Sequence, residues 1–277
     1  MIYIVKMLIK FLGILMGRET YNPEPASYTK DIHFTSGAIG VFYQLGISRF
    51  LKERYEVEKY HYSGVSAGSW CSMFLASDID KENLDNIVES ICGILDEDNF
   101  WVEGPFAAKD IILNTEFNID YSRVKIGITQ FNPFPQKKYV NNFRNKNDVL
   151  DACIASSHIP ILSGNLATKY NNSYTMDGAI VGLGGVLESD KEVIISFAPD
   201  IWGKEFGADS YYKFNKESAL EMYKEGYRDT KQNRHCLDQF IQKRKKRKNP
   251  KNKSKPLFKL QPQGQSSPQP QSPDATL

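Results

Sequence analysis

From Asp31 onward, the apolar positions divide the chain into short strands and amphipathic helices. Asp31 to Phe34 reads as a strand. A run of small residues, Thr35 to Gly40, leads into Val41, Phe42, Leu45, Ile47, Phe50 and Leu51, whose spacing predicts a helix ending near Arg54. Glu58 to Tyr62 reads as a second strand, and Ser69 to Ala76 opens a second helix. Further helices are predicted over Glu82 to Leu95, Phe106 to Leu113, Asn147 to Ser157 (stopped by Pro160) and Phe214 to Phe240. Strands are predicted over Arg123 to Thr129, Lys138 to Phe143 and Lys191 to Phe197. The last carries the run Val193-Ile194-Ile195 expected of a strand buried on both faces of a parallel sheet. Strands alternating with helices predict an α/β fold with a mainly parallel central sheet flanked by helices. No internal repeat interrupts the pattern.

The two ends depart from it. Residues 1–30 form an apolar segment and a linker: Met1 to Met16 is apolar apart from Lys6 and Lys10, and the polar stretch Gly17 to Lys30 carries Pro23 and Pro25. Sixteen residues are short for a membrane span of about 20. Lys6 and Lys10, one helical turn apart, suit a helix lying in a membrane interface; a helix packed on the core and a cleaved signal peptide are the alternatives. Residues 31–240 form the folded body. Residues 241–277 form a basic tail rich in Pro, Gln and Ser, which cannot bury a core.

Net charge changes the picture only when divided along the chain. Ten of the 35 Lys and Arg, and one of the 33 Asp and Glu, fall after position 240. That leaves 25 basic and 32 acidic residues, a net charge of −7, on the rest. The block Lys243 to Lys248 fits an anionic lipid or an import receptor, with no specific nucleic-acid target, or it is only a solvated tail. Cys71, Cys92, Cys153 and Cys236 are widely spaced and the four histidines are not clustered. Neither a disulfide framework nor a metal site is expected, and reduced thiols fit a cytoplasmic, membrane-peripheral protein. Asn171-Asn172-Ser173 matches a glycosylation acceptor, relevant only to a secreted chain.

Candidate chemistry centres on Gly64-Val65-Ser66-Ala67-Gly68. A Gly-x-Ser-x-Gly turn between strand and helix holds its serine in a strained, exposed conformation, with the glycines allowing close approach of the two elements. A tight turn built from small residues is the plainer reading. The loop Ser36-Gly37-Ala38, also between strand and helix, is suited to stabilising an oxyanion through backbone N–H groups. A serine hydroxyl needs a proton acceptor. His235 has the late position that a Ser-acid-His triad requires, and Asp177, in Asp177-Gly178-Ala179, is the other candidate.

Four blocks in order resemble the patatin-like phospholipase family: Gly40 to Gly46 after the small-residue loop, Gly64 to Gly68, Ala152 to Pro160, and Asp177-Gly178-Ala179. The resemblance spans Ile32 to Ala198. It implies a patatin-like three-layer fold and a Ser66–Asp177 dyad without histidine. It further implies an oxyanion hole at Ser36, Gly37 and Ala38, elbow glycines at Gly64 and Gly68, and no cofactor or metal. The implied activity is hydrolysis of phospholipid or other acyl-lipid esters at a membrane surface. Thr35 and Ser36 stand where the family has glycine. This motivates a third reading, a catalytically inactive lipid-binding module, beside a His-dependent esterase using His235.

Overall fold

The computed structural model describes residues 31–94, 100–181, 192–195 and 215–244, with 192–195 given as backbone. The expected interfacial helix within residues 1–30 and the tail from residue 245 lie outside these residues. The outermost residues of the expected strand Lys191 to Phe197, and Phe214 at the start of the expected long helix, lie outside them as well.

The body is an α/β fold whose seven-stranded sheet is mixed rather than mainly parallel. Strands β1 (Asp31–Phe34), β2 (His61–Val65), β3 (Val124–Phe131) and β7 (Glu192–Ile195) lie in the order β7-β1-β2-β3 and are parallel. Strands β4 (Pro135–Val140), β5 (Thr168–Tyr170) and β6 (Ser173–Asp177) are antiparallel to their neighbours. The departure comes from two hairpins, β3–β4 and β5–β6, the second of which the hydrophobic pattern did not announce. Asn171 and Asn172 take φ values of 46° and 62° between the two strands. Asparagine tolerates this left-handed region, and two such residues in succession match the twist of a tight hairpin.

Register along β3 decides how the site is built. Ile126 and Gly127 pair with β2 on one edge and β4 on the other, while Ile128 to Gln130 pair with β6 and β4. Because β4 runs along one edge throughout, β2 and β6 must share the other edge, end to end. Strand β2 is parallel to β3 and β6 antiparallel, so their C-terminal ends meet head-on between Gly127 and Ile128.

The helices are α1 (Val41–Arg54), α2 (Ala67–Leu75), α3 (Lys81–Ile94), α4 (Phe100–Leu113), α5 (Lys146–Ser156), α6 (Lys216–Gln232) and α7 (Arg234–Leu237). Helix α4 is nearly twice as long as expected. Pro105 lies inside it, where it removes one backbone bond, and its fixed φ is compatible with helix. The stripe Gly104, Ala108 and Ile112 supplies the buried face that the flanking breakers obscured. The long C-terminal helix is divided at Asn233.

The body also runs four residues past the expected boundary. Ile241 is buried, Glu56 N–H donates to the Gln242 carbonyl at 2.8 Å, and Arg244 N–H donates to the Arg54 carbonyl at 2.8 Å.

Two contacts fix the frame behind the site. Helices α1 and α6 cross at Gly46 and Gly226. A Cβ on Gly46 would overlap the Tyr223 carbonyl oxygen, and one on Gly226 that of Tyr43. The C-terminal end of α2 is held by cations, as its dipole favours. Lys52 Nζ donates to the Phe74 and Ser77 carbonyls at 3.2 and 2.6 Å, and Arg123 donates to the Ala76 carbonyl at 3.0 Å.

Gly226→Ala is expected to destabilise the protein by about 3 kcal/mol, because backbone on the facing helix must yield. Urea denaturation reads this directly, and a loss under about 1 kcal/mol would mean the two helices part freely.

Candidate active site

Ser66 sits between β2 and α2 at φ 54° and ψ −121°. A serine held there costs about 1–3 kcal/mol, so the surroundings must impose the conformation. They do so through close packing that only glycine permits. A Cβ on Gly64 would overlap the Gly68 carbonyl, and one on Gly68 would overlap the Phe34 carbonyl. Strand β2 is His61–Val65, three residues later than expected, and Val57–Lys59 is a single helical turn. The glycine that reads as turn in the sequence is therefore strand, and the turn begins at Ser66 itself.

Hydrogen bonds complete the elbow. Ser66 N–H donates to Ser156 Oγ at 2.8 Å, and that hydroxyl donates to the Gly127 carbonyl at 2.7 Å. Ser156, fully buried at the end of α5, thus ties the serine backbone to β3. Ser69 Oγ donates to the Ser66 carbonyl at 2.6 Å. The sequence pattern did not single out Ser156. Its signal is a small polar residue closing an otherwise apolar helical stripe, directly ahead of a proline-containing turn.

Asp177 ends β6 and so arrives where β2 ends. A Cβ on Gly178 would overlap the Gly127 carbonyl and crowd the Val65 side chain, which explains why glycine must follow this aspartate. The Asp177 N–H donates to the His158 carbonyl at 2.8 Å, and the Asp177 carbonyl accepts from Thr129 Oγ1 at 2.8 Å. One carboxylate oxygen accepts from Ala179 N–H at 2.8 Å. Burial pushes the carboxyl up to about 6, while hydrogen bonding from the Ser66 hydroxyl and the Ala179 N–H pulls the other way. Ser66 and Asp177 are 4% and 3% exposed, so both are brought together out of bulk water.

The loop after β1 lies beside the elbow, because Phe34 pairs with Gly64. Gly37 is extended at φ −163°, and the left-handed position falls on Ala38 at φ 48°. Neither Thr35 nor Ser36 is among the residues at positive φ, so each accommodates its side chain without glycine's freedom. The buried Gln44 amide donates to the Thr35 carbonyl at 2.9 Å and fixes the loop on α1. Ser36, Gly37 and Ala38 are partly exposed, and the N–H groups of Ala67 and Gly68 open α2 next to Ser66.

The histidines fall elsewhere. His235 is exposed on α7, and the neighbouring Arg234 carbonyl accepts from Tyr55 Oη, at the end of α1 remote from the elbow. This removes the geometric basis for a triad through His235. His61 pairs with Asp31 at 3.4 Å, and His158 Nε2 meets the Asn165 carbonyl at 3.2 Å. His33 is buried, with Nδ1 2.8 Å from Ser63 Oγ and Nε2 unpartnered, and burial lowers its pKa to about 4. Among the described residues, no group of three or more His, Cys, Asp or Glu is placed to hold a metal, and no helix is long and apolar enough to cross a membrane.

His33 and Asp177 oppose each other in pH dependence. Asp177 binds its proton more tightly folded (about 6) than unfolded (3.8), so it lowers stability as pH rises through that interval. His33 binds its proton less tightly folded (about 4 against 6.5), so it lowers stability as pH falls through its interval. Each effect is about 3 kcal/mol. Relative to the parent, Asp177→Asn should gain stability towards pH 7, and His33→Gln should gain it towards pH 4. Urea midpoints across that range check this, and parallel profiles for all three proteins would refute it.

No family model matches the chain, and no curated protein matches it. Among solved structures, it is similar to VipD from Legionella pneumophila at 12% identity and a TM-score of 0.48, over 85% of this chain and 74% of that one.

Proposed function

We propose that the protein is a serine acyl hydrolase that cleaves ester bonds of phospholipids or related acyl lipids through a Ser66–Asp177 dyad. The observation that carries this reading is a serine in a strained elbow at the point where the strand ending in Asp177 arrives, with burial pushing that carboxyl up to about 6. A free carboxylate is a weak base towards a hydroxyl; the buried one is stronger, yet ionised at neutral pH. The lipid substrate class comes from the four-block resemblance to the patatin-like family.

In the proposed reaction Asp177 takes the Ser66 proton as Oγ attacks the ester carbonyl. The developing oxyanion is held by backbone N–H groups of the Ser36–Ala38 loop and of Ala67. The alcohol leaves with the proton that Asp177 returns. Water, deprotonated by the same carboxylate, then releases the fatty acid from the acyl-serine. Ala179 N–H holds one carboxylate oxygen, which leaves the other for proton transfer. A reduced compartment and a peripheral place on a membrane belong to this proposal. Cys71, Cys92 and Cys153 are free and buried, in keeping with the former.

The test is covalent labelling with a fluorophosphonate, read by intact mass. One adduct is expected, absent in Ser66→Ala and formed at least about 100-fold more slowly in Asp177→Ala. The parent labelling rate should rise with pH around a midpoint near 6, as the carboxylate ionises. Undiminished labelling of Asp177→Ala would overturn the dyad, and no adduct in a folded parent would favour a non-catalytic lipid-binding module.

A further inference from the structure

Ser66 is flanked by two peptide planes, and each is held by a buried serine hydroxyl. On the N-terminal side, the Ser66 N–H donates to Ser156 Oγ. On the C-terminal side, Ser69 Oγ donates to the Ser66 carbonyl at 2.6 Å, and the Ser69 N–H donates to the same oxygen at 3.0 Å. Ser69 and Ser156 are both fully buried. Neither bond can be traded for one to water, so the protein itself sets both planes.

The second plane bears on the chemistry. In a trans peptide the N–H points opposite to the C=O. Holding the Ser66 carbonyl towards Ser69 therefore turns the Ala67 N–H the other way, out of α2. Ala67 is the first residue of that helix, and its N–H has no acceptor within it. The residue directly after the nucleophile is also the place from which an elbow supplies an oxyanion donor. Two donors on one carbonyl polarise the whole amide, which strengthens its N–H as a donor by about 10–30% per bond.

Hydroxyls that bond back to a carbonyl one turn earlier are common in helices. Ser72 Oγ donates to the Gly68 carbonyl at 2.9 Å, and Thr230 Oγ1 to the Gly226 carbonyl at 2.6 Å. In both of these the N–H of the same peptide is already committed to structure. The Ser69 N–H, across the peptide from the Gly68 carbonyl, donates to Ser66. The Tyr227 N–H, across from the Gly226 carbonyl, lies inside α6, where the helical ladder uses it. Ser69 differs because the peptide it polarises ends in a donor that the helix does not use.

We propose that Ser69 is a positioning residue for acyl transfer, its hydroxyl aiming and polarising the Ser66–Ala67 peptide so that the Ala67 N–H meets the developing oxyanion. This rests on the acyl-hydrolase reading, because the Ala67 N–H has that task only where Ser66 attacks a carbonyl. Ser69 acts through the backbone of Ser66 and not by contact with the ester. Its effect therefore falls on the transition state, in which the oxygen gains charge, and not on ground-state binding.

The experiment measures saturation kinetics of fluorophosphonate labelling on the full chain, because the phosphonyl oxygen takes the place of the oxyanion. Ser69→Ala removes one hydroxyl and should lower the limiting rate, kinact, at least about tenfold, with the probe affinity, KI, changed less than about twofold. Labelling should still reach one adduct on Ser66, and its pH midpoint near 6 should stay, since the Asp177 carboxyl is untouched. Thr230→Val is the matched control: it removes an equally buried hydroxyl with an equally short bond, on α6. It should lower the urea midpoint as Ser69→Ala does and leave kinact unchanged. A Ser69→Ala protein that labels at the parental rate, loses only probe affinity, shifts the pH midpoint, or is slowed no more than Thr230→Val overturns the proposal. Such a result beside a normal Ser66 adduct in the parent refutes the positioning role alone. No adduct in the folded parent refutes the hydrolase, and the positioning role with it.

Discussion

One edge of β3 has to carry two strands. Strand β2 occupies it up to Gly127 and β6 from Ile128 onward, and because they run towards each other their last residues collide unless something small stands between them. Gly178 is that residue, packed against the Gly127 carbonyl and Val65. The same crowding forces the chain out of the sheet at Ser66, where Gly64 and Gly68 let α2 start against the backbone of β1 and β2. The strained serine and the buried aspartate are thus two consequences of one pairing pattern. Ser156 secures the junction from the third side by joining the Ser66 amide to β3.

That arrangement lowers stability locally. A left-handed serine, a carboxyl held at about 6 and a buried imidazole at about 4 are each unfavourable by a few kcal/mol. The frame around them is correspondingly tight. Helices α1 and α6 touch through glycines, Gln44 fixes the loop beside the elbow, and Lys52 and Arg123 cap the far end of α2. Strain can persist at Ser66 because close glycine packing and the Ser156 bonds hold its backbone to the sheet.

What the sequence made legible was local. Strand β1 and helix α1 lie where their apolar spacing puts them, and the serine turn is marked by its own glycines. Pairing between distant segments was not legible. The β5–β6 hairpin is short, with Asn171-Asn172 its only local mark, and the apolar pattern of β4 does not reveal that it turns back on β3, so the sheet reads as mainly parallel. The sequence pattern puts strand β2 three residues early because Gly64 resembles a turn residue, whereas its packing against Gly68 makes it strand. Gly104-Pro105 hid the first turns of α4. Asp177 stood out only through its place among four ordered blocks; the burial that tunes its acidity is a property of the assembled sheet.

In the loop after β1 a glycine pattern in sequence and a backbone requirement for glycine come apart. Glycine is demanded where φ is positive or where another chain passes too close for a Cβ. At Thr35 and Ser36 the backbone does not take positive φ, and the position that does is Ala38. Alanine there bears a penalty that glycine would avoid, and the loop is held in place by Gln44 and by the pairing of β1 with β2. An oxyanion hole depends on where N–H groups point, and backbone held by its surroundings points them as well as backbone made permissive by glycine. Side chains at Thr35 and Ser36 are therefore no argument against chemistry at Ser66.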